Sequence, residues 1–185
     1  ITLESSPLTR SASSQLMLDG DVRGYGVTGG GSLTIQSGNV VIGGTGAAPG
    51  DNTLQLASSL FSTGFANYSV IGLTGLKVAD GTQIDVVMPV YRFGGDAAGN
   101  ITGSNARDAL ELWTPPVYLE DARNGVLTQR KGASLSLQAG NLFSSAADMA
   151  TVQAVVGKGA VINVDPGQNI SISSIGQLTI DGRLN

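Results

Sequence analysis

Two stretches of this 185-residue chain superimpose at a single offset. Residues 30–42 read GGSLTIQSGNVVI, and residues 131–143 read KGASLSLQAGNLF. With Ser32 set on Ser134, an offset of 102, the pattern Ser-Leu-x-apolar-Gln-x-Gly-Asn holds in both. Degenerate forms recur in GAVINVDPGQNISI at 159–172, in GQLTIDG at 176–182 and in GLKVADG at 75–81. The unit is Gly, a short apolar alternation, one or two polar residues, then Gly or Asn. Alternation with a period of two is the mark of a strand buried on one face. Gly, Asn, Asp and Ser between the bursts supply turn chemistry.

Short strands of this kind fit either a sandwich of antiparallel hairpins or a solenoid. Internal repetition favours the solenoid. One turn of it cannot bury its own Leu, Ile and Val, whereas stacked turns share a narrow core. Gly159 to Gly176 spans 17 residues, close to the ~20 of one such turn. The expectation is an all-β parallel β-helix. Leu33, Ile35, Leu54, Leu56, Val86, Leu135, Leu137, Val164, Ile172 and Ile180 should point inward.

Composition agrees with a narrow core and sets limits on function. There are 27 Gly, and aromatics make up only 5%. Charged residues are 13% and the net charge is −4, against a usual ~25% charged. The ten Lys and Arg are scattered, so no basic stripe offers itself to nucleic acid. With no His and no Cys, imidazole bases, thiol nucleophiles, zinc sites and disulfides are excluded. Residues 24–50 and 52–76 carry no charge. The first holds ten Gly, and the second is broken by Asn, Gln, Ser and Thr. Neither is a run of ~20 apolar residues, so a membrane span is not expected.

Residues 91–130 depart from the pattern and read as an insertion between regular turns at 1–90 and 131–185. All three form one continuous domain. The insertion holds Tyr91, Phe93, Trp113 and Tyr118, four of the nine aromatics. Asn105 through Leu112 suggests a short helix, capped by Asn105 and ended before Pro115-Pro116. A second helix is suggested over 146–156, where Ser145 and Asp148 have capping-box spacing.

The pieces GGGSLTIQSGNVVIG, GFANYSVIGLTGLKVADGTQIDV, LTQRKGASLSLQAGNLF and ISISSIGQLTIDGRLN resemble secreted exoproteins of the filamentous haemagglutinin family. The resemblance covers about 1–90 and 126–185. It implies a right-handed parallel β-helix, exported by a partner outer-membrane transporter. It also implies a bacterial cell-surface or secreted location and a role as adhesin or biofilm-matrix protein. The family's secretion domain carries Asn-Pro motifs, and this chain has no Asn-Pro. The resemblance is therefore to an interior or distal stretch of the shaft, a piece of a longer chain.

Other motifs weaken on inspection. Gly24-x-Gly26-x-x-Gly29 matches a dinucleotide fingerprint, but that mechanism needs a helix next. Here Gly30, Gly31 and a strand-like SLTI follow. Gly94-Gly95-Asp96 and Gly43-Gly44-Thr45-Gly46 are incomplete pieces of a calcium repeat. The sequons at Asn67, Asn100 and Asn169 arise readily in a chain rich in Ser, Thr and Asn. A β-helical polysaccharide lyase or glycoside hydrolase would need carboxylates facing one cleft. Asp19 with Asp21, Asp80 with Asp85, and Glu120 with Asp121 are the candidates, and most sit in turn contexts. No enzyme, cofactor or metal is expected.

Tyr91, Asp96, Trp113, Tyr118 and Asp121 form the one site-like cluster. Aromatic faces beside carboxylates suit a carbohydrate, and a host or matrix receptor is the alternative ligand. The competing reading has Trp113 and Tyr118 pin the insertion to the scaffold. The leading functional expectation is adhesion. A third possibility is a passive stalk that presents a toxin or binding tip located elsewhere.

Overall fold

The computed structural model describes residues 1–5, 16–27, 29–44, 53–94, 109–115, 117–121, 126–141 and 150–185. The described residues are all-β. In chain order the strands are β1 (Thr2–Glu4), β2 (Ser32–Ile42), β3 (Thr53–Leu56), β4 (Asn67–Val78) and β5 (Gln83–Val86). Then come β6 (Val90–Phe93), β7 (Leu110–Trp113), β8 (Tyr118–Asp121), β9 (Val126–Gln129) and β10 (Ser134–Ala139). The last are β11 (Gln153–Val156), β12 (Val161–Val164), β13 (Ile170–Ser174), β14 (Gln177–Ile180) and β15 (Arg183–Leu184). A short 3-10 turn, Ser58–Ser62, carries the buried Phe61.

Three parallel ladders organise the chain. The first runs β1-β2-β4-β10-β13. The second joins β3, residues 39–42 of β2, residues 75–78 of β4, β11 and β14. The third is β5-β12-β15. The long strands β2 and β4 thus serve two ladders each. Between Ser37 and Asn39 the register of β2 shifts, at Gly38. The aligned position, just after β10, is Gly140, whose φ of +80° is open to glycine at little steric cost. An antiparallel hairpin sandwich does not describe these ladders.

Parallel register stacks like on like. Leu3, Ile35, Val70, Leu137 and Ile172 fall at one position of the first ladder. In the second, Leu54, Val40, Leu76, Ala154 and Leu178 align, and Leu56, Ile42, Val78, Val156 and Ile180 align beside them. Ile84, Ile162 and Leu184 align in the third. Most of these side chains form one buried core. Removing a Leu or Ile from water stabilises by roughly 1.5–3 kcal/mol. Leu33, Ile35, Leu54, Leu56, Val86, Leu135 and Leu137 are buried as expected. Val164 and Ile172 are only partly buried. Ile180 is 44% exposed, because β14 is the last strand of its ladder.

Two helix expectations fail where the chain is described. Leu110–Trp113 is strand β7, paired antiparallel with β6. Residues 105–108 lie outside the described residues. Likewise Gln153–Val156 is strand β11, and 146–149 lie outside the described residues. In the first place pairing with β6 outweighs the capping signal, and in the second a period of two does. Val152, Ala154 and Val156 are buried at every second position, which a helix cannot arrange on one face.

Candidate functional site

Three of the four aromatic residues of the 91–130 region, Tyr91, Phe93 and Trp113, sit on an antiparallel ribbon made by β6 and β7. Val90 faces Trp113, Tyr91 faces Leu112, Arg92 faces Glu111 and Phe93 faces Leu110. Directly opposed residues share a face and successive residues alternate. One face therefore carries Val90, Arg92, Glu111 and Trp113. The other carries Tyr91, Phe93, Leu110 and Leu112. Tyr91 and Trp113 lie on opposite faces, so they do not build a single platform.

Each of those two aromatics is already engaged. Trp113 packs against the core beside the buried Val90. The Arg92 guanidinium carbon lies 4.6 Å from its ring centroid. Arg92 Nε also donates to Glu111 Oε1 at 2.6 Å. Both partners of that pair are about half exposed, so the ion pair itself contributes little. Tyr91 meets Tyr25 edge to face, with centroids 5.6 Å apart and planes at 74°. The Tyr91 amide donates to the Gly26 carbonyl at 3.0 Å. What the ribbon leaves open is Phe93, 59% exposed, and Leu112, 48% exposed.

The remaining cluster members are placed only in part. Asp96 lies outside the described residues. Tyr118 begins β8 and pairs with Gln129, while Asp121 ends it and pairs with Val126. The side chains of Tyr118 and Asp121 lie outside the described part of the structure.

Sequence reasoning missed a buried ion pair beside this region. Arg130 Nη1 and Nη2 donate to Asp165 Oδ2 and Oδ1, each at 2.7 Å. Both side chains are almost fully buried. Arg130 Nε donates to the Pro115 carbonyl at 2.6 Å, and the Ala133 amide donates to Asp165 Oδ2 at 3.0 Å. The planar fork thus fastens residue 115 to the turn after β12. A cleft of about 540 Å³ lies alongside, lined by Ala66, Asn67, Val117, Arg130, Lys131, Gly132 and Gln168. Asp165-Pro166-Gly167 reads locally as a turn, and nothing local pairs it with an arginine 35 positions earlier.

A second buried polar group lies under the 3-10 turn. Tyr68 is packed edge-on against Phe61 and Phe65. Its Oη accepts from the amides of Thr63 and Phe65, at 3.0 and 3.2 Å. Burial pushes the Tyr68 phenol above its usual range, and these hydrogen bonds only partly offset that.

Three of the six carboxylates weighed for catalysis are separately engaged, and the side chains of Glu120 and Asp121 lie outside the described part of the structure. Asp21 pairs with Arg23 at 2.6 Å on the surface. Asp80 Oδ1 accepts from the Lys158 amide at 3.2 Å. Asp85 accepts from Asn163 Nδ2 at 2.6 Å, and Asn185 Nδ2 donates to Asn163 Oδ1 at 2.7 Å. This outer row joins the strands of the third ladder. Gly24 of the apparent fingerprint sits so close to the Phe65 ring that a Cβ would overlap it. The next regular element is strand β2, with no helix. Among the described residues no helix is long and apolar enough to cross a membrane.

Compared with known proteins, the chain matches no family model, no curated protein and no solved structure.

Proposed function

We propose that this chain is a right-handed parallel β-helical segment of a secreted, surface-associated bacterial adhesin. Its work is reach, stiffness and attachment to a cell surface or matrix. The observation that carries the reading is the register of the ladders. Leu33 of β2 and Leu135 of β10 flank Tyr68 of β4 from either side. The aligned units thus occupy equivalent places in a stack. Right-handedness follows from the strong bias of parallel crossover connections. Export through an outer-membrane transporter partner follows from the resemblance noted above.

Attachment is assigned to 91–130, because recognition gathers on segments carried by a rigid scaffold. Within that region the ligand would meet the Tyr91, Phe93, Leu110 and Leu112 face. A carbohydrate is the first candidate, and a protein receptor of host or matrix is the second. The test is binding of the purified chain to glycan arrays and to cells. A Phe93→Ser, Leu112→Ser variant that still folds should lose the signal. Equal attachment by parent and variant would sink the assignment.

One observation favours the passive-stalk reading instead. Trp113 is packed against the core and covered by Arg92, so it lacks a free face for stacking. On that reading the parent shows no attachment at all, and any activity resides elsewhere.

A further inference from the structure

The cleft beside Arg130 carries chemistry that the stack does not need. It lies across three neighbouring layers of the first ladder. Ala66 and Asn67 stand at the start of β4, Arg130, Lys131 and Gly132 precede β10, and Gln168 precedes β13. Its volume of about 540 Å³ is in the range that takes a small molecule. At the offset of 102, Arg130 and Lys131 stand where the first unit has Thr28 and Gly29. Both cations therefore depart from the pattern that builds the core.

What the lining groups already bind decides what they can still offer. The Asp165 carboxylate accepts twice from Arg130 and once from the Ala133 amide, so the two charges cancel. A guanidinium has five N–H groups. On Arg130, Nε goes to Pro115, Nη1 to Asp165 and the Lys131 carbonyl, and Nη2 to Asp165. One N–H on Nη2 is left over. Gln168 Oε1 accepts from the Ser134 hydroxyl, and its Nε2 has no partner among the described residues. The exposed Lys131 ammonium has no ion-pair partner among them either. Most of the open groups are thus donors around one unmatched positive charge, in a chain of net charge −4. Asn67 Nδ2 donates to the Ser32 hydroxyl, which leaves Asn67 Oδ1 open as an acceptor.

Donors beside a cation suit a carboxylate, and an open amide oxygen suits a hydroxyl. Ala66, Val117 and Gly132 add a small apolar wall, which suits the C–H face of a ring. We propose that this cleft binds an acidic sugar of the hexuronate class. Its carboxylate would meet Lys131 and Gln168 Nε2, and one hydroxyl would meet Asn67 Oδ1. The proposal rests on the cleft and is independent of attachment through Phe93 and Leu112.

Isothermal titration of the purified chain with a galacturonate trimer tests it, with a neutral galactose trimer and inorganic sulfate as comparison probes. The expected result is one saturable site that holds the galacturonate trimer about tenfold or more tighter than either comparison probe. Raising salt from about 20 to about 200 mM should weaken binding, because the charge of Lys131 is exposed. Lys131→Gln should weaken it about tenfold, whereas Lys131→Arg should retain it. Should either variant lower the urea midpoint, Gln168→Glu decides: it is isosteric, keeps the acceptor for Ser134 and should abolish binding. Absence of saturable binding overturns the proposal. So does a Lys131→Gln or Gln168→Glu variant that binds like the parent. Equal affinity for the neutral trimer, or for sulfate, also overturns it, since the acid or the sugar would then play no part in recognition.

Discussion

Leu33 and Leu135, separated by 102 positions in the chain, stand on opposite sides of Tyr68 at the same register position. Both are buried. The relationship explains why two distant segments share a pattern. Each must present Leu to the same core and Ser or Thr to the same outer face. Thr34, Ser69, Ser136 and Ser171 form that outer row.

Depth in the stack should set the cost of truncation. Leu137 is fully buried in the middle of the first ladder, whereas Leu178 is nearly half exposed at the end of the second. Leu137→Ala should cost about 2–5 kcal/mol. Leu178→Ala should cost about 1 kcal/mol. Urea unfolding of both variants checks the ranking.

Ser37 offers a substitution that should not destabilise. Its hydroxyl is buried with no hydrogen-bond partner. The aligned residue in β10 is Ala139, and both stack on Gly72. An unsatisfied buried hydroxyl is a cost. Ser37→Ala should therefore raise stability by about 1 kcal/mol, seen as a higher urea midpoint at constant slope.

The Arg130–Asp165 pair should behave as a unit. Removing one partner leaves a buried charge alone, which costs about 3–5 kcal/mol. Arg130→Met and Asp165→Asn should each approach that loss. The double variant should lose much less than the sum of the two. Strict additivity in the double-mutant cycle would mean the two groups do not interact.

Tyr68 predicts a loss of stability on the alkaline side. The folded phenol titrates above its unfolded value, so the neutral form is the one the fold favours. Its contribution is intact below the unfolded value of about 10. It falls as pH rises from there through the folded value. Tyr68→Phe should flatten this decline above about pH 10. The same variant should cost about 1–3 kcal/mol at pH 7, because one buried and one part-buried amide lose their acceptor. Guanidinium melts at pH 7 and above about pH 10 check both effects.

Much of the scaffold was legible because its signal is periodic and local. Short alternations such as Leu135 and Leu137 mark a buried face wherever they occur. Gly38, where β2 shifts register, and Gly140, which follows β10 at positive φ, mark the ends of the shared pattern. The helix expected over 146–156 failed because a cap at Ser145 is a weak preference beside alternation that buries Val152, Ala154 and Val156, and the one expected over 105–112 failed because Leu110–Trp113 pairs with β6. The site was far less legible. Arg130 and Asp165 meet only through tertiary placement, and no spacing rule joins them. Composition gathered Tyr91 and Trp113 into one region, yet pairing put them on opposite faces of a ribbon. Ile180 carries the inward pattern and remains half open, since exposure depends on what stacks next.

The central claim is the parallel stack in which β2 and β10 flank β4 in fixed register. The chain has no Cys, so engineered disulfides report on it without background. Ser69 is in register with Thr34 on one side and Ser136 on the other. Neighbouring strands lie ~4.8 Å apart, within the Cα range that a disulfide tolerates. Thr34→Cys with Ser69→Cys, and Ser69→Cys with Ser136→Cys, should each form an intramolecular disulfide under mild oxidation. Ser69→Cys with Ser134→Cys is two residues out of register, which places its Cα atoms roughly 8 Å apart, too far to bridge. Cross-linking of both in-register pairs and not of the shifted pair is the predicted result. Equal cross-linking of the shifted pair, or none of the in-register pairs, would contradict the stack.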